Sequence, residues 1–104
     1  MINLSDVIKD NYYRVSWTSL PELYWIIKTR ADKRLYSEIG IAVYETDPDG
    51  KKGESKYCDD IKLMRNAIIV QATIDEIMWL EKCHRADQFL PNPINSLSDN
   101  FEIL

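Results

Sequence analysis

Residues 59–89 read DDIKLMRNAIIVQATIDEIMWLEKCHRADQF, thirty-one positions without a proline or glycine. Whether this stretch is one helix or two elements decides the fold. As a single helix it would be roughly 45 Å long at about 1.5 Å per residue, which exceeds the width of a hundred-residue globule with a radius of gyration of roughly 13 Å. The composition, rich in Ile, Leu, Met, Ala and charged residues, favours a continuous helix that begins at Asp59 or Asp60 and ends near Phe89. The competing reading breaks the stretch at Thr73-Ile74-Asp75-Glu76, a T-x-x-E capping pattern. Residues 66–72, Asn66 to Ala72, then form a short buried strand ahead of it.

On the continuous reading, a step of about 100° per residue sorts the apolar side chains into two stripes. Leu63, Ala67, Val70, Ile74, Ile77 and Met78 make the first. Ile61, Met64, Ile68, Ala72, Trp79, Cys83 and Ala86 make a second, roughly opposite. A helix apolar on two faces has to be covered on both, so the second stripe is expected to be a homodimer interface or a partner groove.

Upstream, Tyr13, Val15 and Trp17 alternate with Tyr12, Arg14 and Ser16, which predicts a half-buried strand. The S-x-x-E signature Ser19-Leu20-Pro21-Glu22 predicts a helix from Leu20 to about Leu35. Leu20, Leu23, Tyr24, Ile27, Ala31 and Leu35 line its core side, while Trp25 and Tyr36 face away. Ile41 to Thr46 reads as a second strand, and Glu54 to Cys58 as its partner across the turn Asp47-Pro48-Asp49-Gly50-Lys51-Lys52-Gly53. The fold class is therefore α+β in the order β-α-β-β-α, a small antiparallel sheet with two packed helices. Residues 1–90 form one domain on this reading. Residues 91–104, opened by Pro91 and Pro93, form a tail that is either loose or a docking arm.

The 104 residues carry 13 Lys plus Arg against 17 Asp plus Glu, a formal charge of -4, with 45% hydrophobic residues, so neither whole-chain disorder nor a general cationic coat fits. No apolar run approaches 18 residues, and residues 1–17 lack a secretory pattern. A cytoplasmic location is expected. Cys58 and Cys83 stand apart from any paired motif, and His84 is the only histidine. A Cys/His zinc site is thereby close to excluded. Asp47, Asp49 and Gly50 fail the EF-hand spacing, with Lys51, Lys52 and Cys58 where ligands or glycine are required. The carboxylate pairs Asp59-Asp60 and Asp75-Glu76 diverge by about 100° and sit where helix starts favour acids. With no nucleotide, hydrolase or zinc-protease motif present, the sequence supports no enzymatic reading, no metal and no cofactor.

Function is then expected to reside on a surface. The favoured reading is a small acidic protein-binding module, an inhibitor, immunity factor or regulatory adaptor of the kind common in phage and mobile-element genes. Trp25, Tyr36 and Trp79 serve as anchors. Asp47, Asp49, Glu54, Asp59 and Asp60 steer it to a basic target. The alternative is a transcriptional regulator. A helix bearing Lys28, Arg30, Lys33 and Arg34, a hairpin tipped by Lys51 and Lys52, and a long dimerising helix resemble in layout the winged DNA-binding dimers. That resemblance implies phosphate contacts through Lys28, Lys33, Lys51 and Lys52.

Overall fold

The computed structural model describes residues 1–44, 56–63 and 65–92. They form an α+β structure of five antiparallel strands and one α-helix: β1 (Tyr12–Ser16), β2 (Leu23–Thr29), β3 (Ser37–Tyr44), β4 (Lys56–Cys58), β5 (Ile68–Gln71) and α1 (Ile74–Ala86). The strand order across the sheet is β4-β3-β2-β1-β5. β1 to β4 are thus a meander, and β5 closes the opposite edge beside β1.

The long-helix expectation is overturned and its competitor holds. Ile68–Gln71 is a strand, registered with Val15 opposite Ile69 and Arg14 opposite Val70. Thr73 then starts the helix as a full capping box: its side chain accepts from the Glu76 amide at 3.1 Å, and the Glu76 carboxylate accepts from the Thr73 amide at 2.9 Å. The cap satisfies two amides that a helix start leaves without partners, which makes it a strong local stop against any helix arriving from upstream. At the other end Asp87 adopts left-handed backbone, φ 53°, and its amide reaches back to Cys83 and His84.

The helix predicted over Leu20 to Leu35 is instead the β2 strand and the connection that leads to β3. The Ser19-x-x-Glu22 signature belongs to a turn in which Pro21 follows Leu20 and the Leu23 amide donates to the Leu20 carbonyl at 3.1 Å. Leu23-Tyr24-Trp25-Ile26-Ile27 is a central strand with β1 on one side and β3 on the other. Both of its faces are covered, so its apolar residues run on without alternation, a pattern that helix and buried strand share. Aromatic and β-branched content favours the strand once neighbours exist on both edges.

The two faces hold separate cores. On one, Tyr24, Ile26, Ile39, Ile41 and Val43 meet Trp79, Leu80 and Cys83 of α1. On the other, Tyr13, Val15, Ile27 and Ile69 meet Val7 and Leu63. Leu63 belongs to the segment that carries the chain from β4 at one edge to β5 at the other. Its amide donates to the Leu35 carbonyl at 2.8 Å, while the Ser37 amide donates to the Ile61 carbonyl at 2.6 Å. Asn66, at φ 66°, turns this segment into β5 with the left-handed backbone that asparagine tolerates.

With a strand and a capped helix in place of one long helix, the second apolar stripe ceases to exist as a surface. Ile61 lies in the crossing segment, Ile68 in β5, and Trp79 and Cys83 are 1% and 0% exposed in the core. Interring one indole removes on the order of 200 Å² from water, about 5 kcal/mol as an upper estimate. That sets which side of α1 faces the sheet. The expected dimer interface therefore has no continuous helix stripe to form on. The winged layout fails too, because residues 20–35 supply a strand in place of the first helix and α1 has 13 residues. Among the described residues no helix is long and apolar enough to cross a membrane.

Candidate functional site

At one end of the sheet, three segments converge because β3 lies between β2 and β4. Arg30, Ala31 and Asp32 leave β2, Glu38 stands near the start of β3, and Asp59 and Asp60 leave β4. Together they line an open depression of about 360 Å³. Four carboxylates there face one guanidinium. Arg30 grips Asp32 with both arms, Nε to Oδ1 at 2.8 Å and Nη2 to Oδ2 at 3.1 Å, and reaches Asp60 Oδ1 through Nη1 at 2.9 Å. These charge-assisted bonds have the fork geometry suited to carboxylate recognition, so Arg30 is fully committed inside the site. The hydrogen bond from Arg30 holds the Asp32 carboxyl below the usual carboxylate range, and the two aspartates push the guanidinium pKa up.

Glu38 Oε2 lies 3.7 Å from Lys28 Nζ, which also stands 3.4 Å from Asp10. Asp60 takes left-handed backbone at φ 53°, a conformation aspartate reaches more readily than most residues, and this turns its carboxylate toward Arg30. Asp59 is exposed, and its charge together with burial raises the Tyr57 pKa, burial being the larger cause. The arrangement projects negative potential from a concave surface, where field lines concentrate and draw in cationic groups.

Of the steering residues expected from the sequence, Asp59 and Asp60 come together here, joined by Asp32 and Glu38, which sequence reasoning missed. No signal in the chain could have found those two, since only the β4-β3-β2 order brings them beside residues 59 and 60. Asp47, Asp49 and Glu54 lie outside the described residues, as do Lys51 and Lys52. Lys28 is occupied by Asp10 and Glu38, and Lys33 sits 5.3 Å above the Tyr36 ring.

The aromatic anchors are dispersed. Trp25 is half-buried, packs against the core opposite α1 and meets Trp17 edge-on at 4.7 Å. Tyr36 is half-buried at the far end of the same strand pair, where its carbonyl accepts from the Arg30 amide at 2.9 Å. Five strand residues, about 17 Å, separate Trp25 from that level, so the two rings do not form a pair. Trp79 is a core residue, its Nε1 donating to the Leu90 carbonyl at 2.7 Å, and offers nothing to a partner. His84 Nδ1 stands 2.6 Å from the Tyr57 hydroxyl, a contact that ties α1 to β4. Among the described residues no group of His, Cys, Asp and Glu is arranged to hold a metal ion.

Comparison of the chain with models of protein families, with curated proteins and with solved structures finds no match.

Proposed function

We propose that this chain is a cytoplasmic protein-binding module of the inhibitor, immunity or adaptor type, which covers a basic surface of another protein through the depression at Arg30, Asp32, Glu38, Asp59 and Asp60. The observation that carries the reading is the charge of that concave surface: four carboxylates from three separate segments around a guanidinium already saturated by two of them. A lysine or arginine of a partner entering there finds Asp59 and Glu38 with capacity to accept. Such steering acts mainly on the rate of encounter, by about 10- to 1000-fold, and weakens with salt. Tyr36 borders this interface, whereas Trp25 lies about 17 Å along the strand from it and takes no part in it.

The test uses the tagged full chain as bait in a nuclease-treated lysate, beside the variant Glu38→Lys/Asp59→Lys. This variant leaves every Arg30 contact in place. A stoichiometric protein with a basic surface that the wild type retains at moderate salt, and that the variant loses by about tenfold or more, supports the reading. Equal retention by both overturns it. Nucleic acid recovered when nuclease is omitted, and lost as salt rises, directs attention to a phosphate-binding surface instead.

A further inference from the structure

The outward face of α1 is apolar where a surface helix is ordinarily polar. Ile74 is 77% and Met78 62% exposed, and the half-buried Ile77 lies between them. These three, with Glu81, Lys82 and Arg85, line a shallow groove of about 400 Å³. At about 100° per residue Ile74, Met78, Glu81 and Arg85 fall opposite the centre of Trp79, Leu80 and Cys83, which face the sheet, while Ile77 and Lys82 flank them and the Glu81 carboxylate reaches round to accept from the Tyr12 hydroxyl. Among the described residues, neither Lys82 nor Arg85 enters an ion pair. A groove with an apolar floor and two available cations asks for an apolar segment that carries carboxylates.

We propose that the occupant is this chain's own residues 99–104, Asp99-Asn100-Phe101-Glu102-Ile103-Leu104, which lie outside the described residues. Three observations carry the assignment. The first is chemistry: Phe101, Ile103 and Leu104 supply apolar surface, and Asp99 and Glu102 supply carboxylates to accept from Lys82 and Arg85. The second is direction. After Asp87 the chain turns back along α1, where Phe89 meets the Trp79 ring at 5.7 Å, the Leu90 amide donates to Cys83 Sγ at 3.3 Å, and the Leu90 carbonyl accepts from Trp79. The chain therefore leaves the described structure beside the middle of the helix, not beyond its end.

The third is reach. Residues 93–101 span up to about 30 Å when extended, against roughly 17 Å around half the circumference of a helix some 11 Å across. A second copy is a poorer occupant: the exposed face of a 13-residue helix, about 20 Å long and 11 Å wide, offers roughly 220 Å², well short of the roughly 800 Å² per partner that a stable interface buries. The proposal concerns a different surface from the acidic depression and does not depend on it. Any partner that uses this helix face has to displace the segment.

Methionine oxidation reads the contact directly, because docking shields the Met78 thioether from peroxide. The full chain is compared with the full-length variants Phe101→Ser/Ile103→Ser and Lys82→Glu/Arg85→Glu, and sulfoxide formation at Met78 is followed by peptide mass spectrometry. Met1, 88% exposed, serves as the internal reference. A docked segment predicts Met78 oxidation at least about fivefold faster in both variants at unchanged Met1 rate, independent of protein concentration. Equal Met78 rates in all three proteins overturn the proposal. So does protection in the wild type that grows with protein concentration, which would identify a second copy as the occupant.

Discussion

Replacing Thr73 by alanine separates the two readings of residues 59–89 by the sign of its effect. In the structure Thr73 is exposed and its side chain accepts from the Glu76 amide, while Glu76 returns a bond to the Thr73 amide and a second one, at 3.1 Å, to Arg14 Nη1 on β1. Truncation opens no cavity, so its cost is that of the cap, about 1 kcal/mol within a range of roughly 0.5–2. For a domain of this size, 1 kcal/mol lowers Tm by about 4–8 °C. Were Thr73 inside a continuous helix, alanine would be the better helix former by up to about 0.7 kcal/mol, and Tm would rise by a few degrees. Calorimetric melts at neutral pH, with van't Hoff and calorimetric enthalpies compared, measure the difference. Thr73→Ser keeps the acceptor and is expected to stay within about 2 °C of wild type at this stability-to-Tm conversion. An unchanged or raised Tm for Thr73→Ala, or a serine variant as unstable as the alanine one, refutes the strand-cap-helix assignment.

Gly40→Ala should cost about 1–3 kcal/mol, read as a lower urea midpoint at constant m, because the new Cβ would stand 3.0 Å from Ile27 Cγ2 and 3.1 Å from the Cys58 carbonyl oxygen, a backbone atom that cannot move aside without disturbing β4. Trp25→Ala should destabilise by about 2 kcal/mol or more, through lost packing against the sheet and the edge-on contact with Trp17, whereas a solvent-facing anchor would leave the melt unchanged. Burial, with the hydrogen bond that its hydroxyl donates to Glu81, lifts the Tyr12 pKa from 10.0 to about 12. The unfolded chain therefore loses this proton first. Stability is full below about pH 10 and declines as pH rises toward 12, and Tyr12→Phe should flatten that limb in denaturant titrations across the range. Burial also raises the Cys83 thiol pKa, so disulfide reagents should modify Cys58 ahead of Cys83, the latter reacting only as the protein unfolds; equal native rates would contradict the packing of α1.

Several features are legible in the sequence by itself. The alternation of Tyr13 and Val15 with Arg14 and Ser16 identified β1, because only one of its faces is strongly apolar. The strand ending at Tyr44 and the one ending at Cys58 were marked by β-branched and aromatic residues, the turn expected at residues 47–53 lying outside the described residues, and the T-x-x-E pattern at Thr73 marked the cap of α1. The α+β class with a small antiparallel sheet follows from these local signals, each written in residues a few positions apart.

What local sequence could not decide is which of two periodicities a continuous apolar run obeys. Leu23 to Ile27 fits a helix by its preceding Ser-x-x-Glu and a strand by its residue types. Hydrogen bonds to β1 on one edge and β3 on the other select the strand, and those partners begin seven and eight residues away from its ends. Residues 59–89 lack any glycine or proline to end a helix, and it is the antiparallel register of Ile68–Gln71 on β1 that draws them out of helical geometry. The same holds for the sites. Asp59 and Asp60 were visible as acids, but Asp32 and Glu38 join them only through strand order, and Trp79 passed for a surface anchor until the sheet claimed its face of the helix. Period and composition are properties of a segment, whereas which face is covered is a property of the neighbours, and neighbours exist only in the folded chain.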